Sequence, residues 1–204
     1  MNLLLLDNHD SFTWNLAGLL EKHDKINVNI HSAETLNIHN VSRFDKIIFS
    51  PGPGLPEEHP LMFEILEKYG RTKSILGICL GHQAIALHFG ARLVNLQQVV
   101  HGQARQLRIL NPDHILFKNI IPAGRVGLYH SWAVEGQTLP DCLEATAISE
   151  EGTLMALRHK SLDISGLQFH PESIITEHGQ RMIDNWLKEA GELVSWQLTN
   201  SPTF

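Results

Sequence analysis

Along the first half of the chain, short unbroken apolar runs alternate with stretches whose apolar residues recur at helical spacing. Leu3 to Leu6 is an apolar run closed by Asp7, the pattern of a central parallel strand buried on both faces. Behind it, Asp10 or Ser11 can cap a helix carrying Leu16, Leu19 and Leu20. Ile26, Val28 and Ile30 alternate with asparagines and predict a second strand nearer an edge. Phe44 to Phe49 predicts a third strand, which runs into Ser50-Pro51-Gly52-Pro53-Gly54-Leu55-Pro56. There prolines and glycines forbid helix and ladder alike, leaving a stiff loop at a strand's C-terminal end. Pro60 suits the first turn of a helix reaching about Tyr69, with Leu61, Ile65 and Leu66 on one face. Ser74 to Ile78 is a fourth strand, helical spacing follows at once through Ala84, Ile85 and Leu87 to about Gly90, and Ala91 to Val94 begins another strand.

This alternation predicts an α/β fold with a doubly wound, mostly parallel sheet. The second half reads differently. Val99 to Leu110, Val126 to Tyr129, Leu143 to Ile148, Leu154 to Arg158 and Ile164 to Phe169 are short and β-like, separated by turn signals such as Asn111-Pro112-Asp113 and Glu150-Glu151-Gly152. They predict a smaller antiparallel β addition to the parallel core. A closing helix is expected from Glu177 to Ala190, with Met182, Ile183, Trp186 and Leu187 inward and Gly191 as its stop. The domain then covers residues 1–190 and a tail 191–204, where Val194, Trp196 and Leu198 hint at docking.

Composition narrows the classes. A chain of 204 residues with 43% hydrophobic and 19% charged residues suits one well-packed domain. Its net charge of -6 argues against sequence-independent nucleic-acid binding, which needs a basic face. The apolar start ends at Asp7 and lacks a basic n-region, too short for a signal or a membrane span, so a cytoplasmic protein is expected. Two cysteines, Cys79 and Cys142, exclude a disulfide framework and fit a reducing compartment.

The candidate chemistry centres on Gly77-Ile78-Cys79-Leu80-Gly81-His82-Gln83, where a strand stops at Cys79 and a helix begins directly behind it. This is a thiol counterpart of the Gly-x-Ser-x-Gly elbow. The glycines allow conformations or close approaches that a side chain would obstruct, and the positive end of the helix favours thiolate over thiol. A nucleophilic thiol needs a base and a group to orient it. The strand Ile164 to Phe169 delivers His170-Pro171-Glu172, and residues i and i+2 of an extended segment point the same way, so Glu172 can reach the His170 imidazole and fix its tautomer. Cys142 has no glycine elbow. The remaining histidines carry no spacing typical of a metal site, so no metal is expected. His82, on helical spacing, points away from the Cys79 mouth and reads as structural or partner-facing.

Taken together, Gly77 to Gln83, Gln168-Phe-His-Pro-Glu-Ser173, Ser50-Pro-Gly-Pro-Gly54 and Asp7-Asn-His-Asp-Ser-Phe-Thr13 resemble the class I (triad) glutamine amidotransferases. Within them, Asp7 to Asn15, Tyr129-His-Ser-Trp132 and Pro171 to Gly179 resemble the small glutaminase subunits of anthranilate synthase and aminodeoxychorismate (para-aminobenzoate) synthase, over nearly the whole chain from Leu3 to about Trp186. The resemblance implies that family's flavodoxin-like α/β fold, hydrolysis of L-glutamine to glutamate, and delivery of ammonia to a chorismate-binding synthase subunit. It implies Cys79, His170 and Glu172 as the triad, backbone N–H groups of Gly52 and Leu80 as oxyanion donors, and Gly52, Pro53, Gly54, Gln83, Ser131 and Trp132 as glutamine contacts. No cofactor is expected in this chain, since Mg2+ and chorismate would sit on the partner. A stand-alone γ-glutamyl hydrolase and a non-catalytic regulatory module on the same fold are the alternatives. Departures occur where relatives usually carry Asn-Tyr-Asp, Ala-Gly and a Lys with small hydroxyls. Here stand Asn8-His9-Asp10, His59-Pro60 and Gln103-Ala104-Arg105, and Leu128 replaces an Arg common before Tyr-His-Ser.

Overall fold

The structure, a computed structural model, describes residues 1–188, apart from the side chains at 97–99. Its first half is built as the apolar pattern requires. Strand β1 (Asn2–Asp7) is followed by helix α1 (Phe12–Leu20), β2 (Asn27–Ser32), β3 (Lys46–Phe49), α2 (Pro60–Tyr69), β4 (Ser74–Ile78) and α3 (Leu80–His88). Ser11 is the residue before α1, but its side chain caps nothing; the Asp10 carboxylate accepts from the Phe12 N–H at 2.7 Å instead. On α2 the buried residues are Met62, Ile65 and Leu66, with Leu61 only partly covered.

The second half supplies β5 (Leu93–Ile109), β6 (Arg125–Val134), β7 (Leu143–Ser149), β8 (Leu154–His159) and β9 (Ile164–Leu167). Among the described residues the strands form one nine-stranded sheet in the order β2-β1-β3-β4-β9-β8-β7-β5-β6. From β2 to β9 the pairing is parallel, and from β9 to β6 it is antiparallel.

Three expectations change. The strands expected at Ala91 to Val94 and Val99 to Leu110 are one strand, because register shifts between Asn95 and Val100 and between His101 and Gln103 absorb the residues that break the apolar pattern. β9, which reads as one of the antiparallel strands, pairs parallel with β4 on one side and antiparallel with β8 on the other, so it joins the two halves. The closing helix, α4, is helical from 179 rather than from Glu177, whose N–H bonds to the Arg125 carbonyl of β6. Its inward Met182, Ile183, Trp186 and Leu187 are buried as the pattern predicts. The expected stop at Gly191 and the tail 191–204 lie outside the described residues.

Alternation along β1 divides the core. Leu3 and Leu5 pack with Leu16, Leu20, Ile183 and Trp186, while Leu4 and Leu6 pack with Ile65, Leu66 and Ile85 on the opposite face. The helices therefore cover both faces of the parallel strands, and the loops after β1, β3, β4 and β9 gather at one end, where such sheets bind ligands.

Candidate active site

Cys79 sits between β4 and α3 with φ 50° and ψ -98°. A non-glycine residue in this region costs on the order of 1–3 kcal/mol and is held there by its surroundings. What holds it is the close approach of helix to strand. A Cβ on Gly77 would lie 2.4 Å from the Gly81 main chain, and one on Gly81 would lie 2.6 Å from Phe49 Cβ. The elbow glycines thus permit contact, while the unusual conformation falls on the cysteine itself. The Cys79 N–H donates to the Leu167 carbonyl at 2.7 Å, tying the elbow to β9. Cys79 is 7% exposed, and the first N–H groups of α3 directly behind it have no acceptor inside the helix.

His170 leaves the end of β9 beside the elbow. Its N–H donates to the Gly127 carbonyl (3.1 Å), and its carbonyl accepts from Thr176 Oγ1 (2.6 Å), which in turn accepts from the Gly127 N–H (3.0 Å). The ring packs against Phe12 and Tyr129, both with centroids 4.9 Å away. Nδ1 donates to Glu172 Oε1 at 2.6 Å, with both side chains essentially fully buried. A carboxylate only accepts, so Nδ1 carries a proton, and Nε2 is the nitrogen that gains or loses the second one. Burial alone would push the imidazole pKa down, but the interactions of the ring with Cys79 and Glu172 outweigh it and raise it to about 10. Among the described residues Nε2 has no hydrogen-bond partner of ordinary geometry, so Cys79 and His170 are coupled through charge without an aligned bond between them. Glu172 is buried, with Oε2 unpartnered among the described residues, and the imidazolium is the charge that compensates it.

Beside Cys79 lies a cavity of about 190 Å³ lined by Gly52, Pro53, Gly54, Cys79, Leu80, Gln83, Tyr129, His130, Ser131 and Trp132. All six residues that the resemblance gives as substrate contacts line it, together with both oxyanion candidates. Gly52 is pressed against Leu80 and Asn8, where a Cβ would come within 2.5 and 2.8 Å of their side chains. Three hydrogen bonds, two from Asn8 and one from His59, fix the Ser50 to Gly54 loop. The Asn8 N–H donates to Ser50 Oγ (2.9 Å), Asn8 Nδ2 donates to the Ser50 carbonyl (3.0 Å), and His59 Nε2 donates to the Pro53 carbonyl (3.0 Å). The departure at His59 therefore supports the loop. A larger groove of about 950 Å³ lies at the opposite end of the sheet, around Met1, Lys25 and Ser74, away from Cys79 and His170.

Gln83 is 3% exposed, not a surface glutamine, and its Nε2 donates to the Trp132 carbonyl (2.7 Å) and to Gln168 Oε1 (3.2 Å). Gln168, Thr176 and Asn8 are site-supporting residues that sequence reasoning passed over. Gln168 had a signal, since it lies two before His170 on the same extended segment. His82 is fully buried, so it faces no partner; a Cβ on Gly166 of β9 would lie 2.8 Å from its Nδ1. Burial lowers the pKa of His82 to about 3 and those of His114 and His130 to about 4, keeping all three neutral. Among the described residues no group of three or more His, Cys, Asp or Glu could hold a metal ion, and no helix is long and apolar enough to cross a membrane.

The chain is similar to known proteins in sequence and in fold. The chain is 39% identical over 186 residues to aminodeoxychorismate synthase component 2 of Escherichia coli, covering 91% of this chain and 98% of that one. It is also 39% identical over 197 residues to anthranilate synthase component 2 of Pseudomonas putida, covering 94% and 98%. Among solved structures, a Thermoplasma acidophilum chain shares the fold with a TM-score of 0.85 at 22% identity, over 97% of both chains. A glutamine amidotransferase from Thermotoga maritima shares it with a TM-score of 0.69 at 16% identity, over 97% of this chain and 85% of that one. Residues 4–190 match the profile of the family described as Glutamine amidotransferase class-I, and the chain belongs to that family.

Proposed function

We propose that this chain hydrolyses the side-chain amide of L-glutamine and passes the ammonia to a chorismate-binding synthase subunit, for anthranilate or 4-amino-4-deoxychorismate synthesis. The observation that carries the reading is the 190 Å³ cavity, which brings the strained thiol together with Gly52 to Gly54, Gln83, Ser131 and Trp132. Its volume is below the range of drug-sized pockets and suits a ligand of amino-acid size. The Escherichia coli relative is component 2 of aminodeoxychorismate synthase and the Pseudomonas putida relative component 2 of anthranilate synthase, which supports a partner subunit of such a synthase.

In the proposed reaction Cys79 thiolate attacks the carboxamide carbon. The N–H groups of Gly52 and Leu80 stabilise the resulting oxyanion, and losing one such donor typically costs ~3 kcal/mol. His170, held by Glu172, protonates the departing ammonia and then takes a proton from the water that hydrolyses the γ-glutamyl thioester. Gln83 and the Ser131–Trp132 backbone hold the amino-acid end of glutamine. None of these steps draws on a cofactor in this chain; Mg2+ and chorismate would belong to the partner.

Reconstitution tests the coupling. Glutamine hydrolysis is expected to be slow for the isolated chain and to rise when a chorismate-binding synthase subunit is added, with an aminated chorismate product. A full rate in isolation, unchanged by any such subunit, would favour the stand-alone γ-glutamyl hydrolase.

A further inference from the structure

Beyond the triad, one buried side chain touches the nucleophile. Gln168 Nε2 lies 3.6 Å from Cys79 Sγ, and Gln168 is completely buried at the end of β9. The polarity of this contact follows from its neighbours. The Trp132 carbonyl can only accept, so the Gln83 atom 2.7 Å from it is the amide nitrogen. That nitrogen's second contact, 3.2 Å away on Gln168, must then be an acceptor, Oε1. This leaves the Gln168 NH2 group facing sulfur. The chain of bonds Trp132–Gln83–Gln168–Cys79 fixes an N–H donor on the nucleophile with no freedom to flip. His130 Nδ1 also donates to the Trp132 carbonyl, at 2.9 Å, anchoring the far end.

We infer that Gln168 is the hydrogen-bond donor that holds the Cys79 sulfur in place for attack, and that Gln83 links its position to the Ser131–Trp132 backbone that grips the substrate. The inference rests on Cys79 being the nucleophile of the proposed reaction. A donor on sulfur favours thiolate over thiol and also tempers the thiolate's intrinsic reactivity. These opposing effects give a signature that a merely structural glutamine would not produce.

The test is the pH dependence of Cys79 modification by a small neutral disulfide, hydroxyethyl disulfide, followed by mass spectrometry with Cys142 as internal control. It compares the parent chain with Gln168→Met and Gln168→Glu. Met has similar reach and no donor; Glu keeps an acceptor for Gln83 but turns an oxygen towards sulfur. With a donor worth about one pH unit, removing it displaces the profile by about one unit, which lowers the thiolate fraction about ten-fold on the acid limb, and raises the thiolate's reactivity about three-fold, for a Brønsted slope near 0.5. The expected profile for Gln168→Met is therefore displaced to higher pH. It runs about three-fold below the parent on the acid limb and crosses to about three-fold above it on the alkaline plateau, with a larger displacement for Gln168→Glu and no change at Cys142. Profiles that superimpose on the parent, or that fall by one factor at every pH, would overturn the inference.

A measurement on the unmutated chain covers variants that fail to fold. One Gln168 Nε2 proton resonance should move when Cys79 is alkylated, and no movement contradicts the contact. None of these readouts depends on glutamine turnover, so failure of the proposed glutaminase activity would be seen separately.

Discussion

Replacing Glu172 by Gln isolates what the buried carboxylate does for His170. The exchange keeps an oxygen acceptor for Nδ1 at the position now 2.6 Å away and removes only the charge. His170, held at about pKa 10, owes that value to both Cys79 and Glu172 working against burial. Removing one close buried opposite charge typically shifts a pKa by ~1–3 units, or about 1.4–4 kcal/mol of preference for the imidazolium. In Glu172→Gln the His170 titration should accordingly fall to between about 7 and 9. The sign for stability follows. His170 is raised above its unfolded value near 6.5, so its contribution is fully present below pH 6.5 and is lost as pH rises towards 10. In the variant that loss is smaller and ends at lower pH. Relief of the unpartnered Oε2 offsets part of the cost at neutral pH, because an amide is cheaper to bury than a carboxylate. The assay is imidazole NMR across pH 5–11, with His170 picked out of the thirteen histidines by a His170→Asn spectrum. A parent His170 that titrates near 6.5, or one that titrates identically in Glu172→Gln, would refute the electrostatic account of the pair.

Two further predictions concern the scaffold. Gly77→Ala places a Cβ 2.4 Å from the Gly81 main chain and 2.7 Å from the His82 nitrogen, with no flexible side chain to yield; a loss of at least ~1–3 kcal/mol in a urea melt is expected, with reduced Cys79 reactivity, and an unchanged melt contradicts the contact. Acid should destabilise the fold early. Burial depresses His82, His114 and His130 to about 3, 4 and 4, so their neutral-state contribution is present above pH 6.5 and lost as pH falls through 6.5 towards those values. Three such groups give at most about 4 kcal/mol between pH 7 and 5.5, and a urea midpoint that is flat over that range would contradict their burial as neutral rings.

Much of this was legible in the sequence because the signals were local. The run Leu3 to Leu6, the proline–glycine loop and the G-x-C-x-G elbow each announce their geometry within a few residues, and His170 and Glu172 share a direction because two positions separate them. What escaped depends on contacts distant along the chain. The bulges that make β5 one strand are set by its pairing with β6, and the parallel placement of β9 by β4. Gln168, Thr176 and Asn8 are ordinary polar residues until the loops meet. Gln168 gains its meaning from Gln83, 85 positions away, and Thr176 from Gly127, 49 positions away. The burial of Glu172 could not be read from its type, because carboxylates are buried only where a partner compensates them.

The most direct test of the central claim is Cys79→Ser in the reconstituted complex with a chorismate-binding subunit, assayed side by side with glutamine and with ammonia as nitrogen source. The account predicts that glutamine-dependent product disappears while ammonia-dependent product continues at the parent rate. Retention of glutamine-dependent synthesis by Cys79→Ser would contradict it.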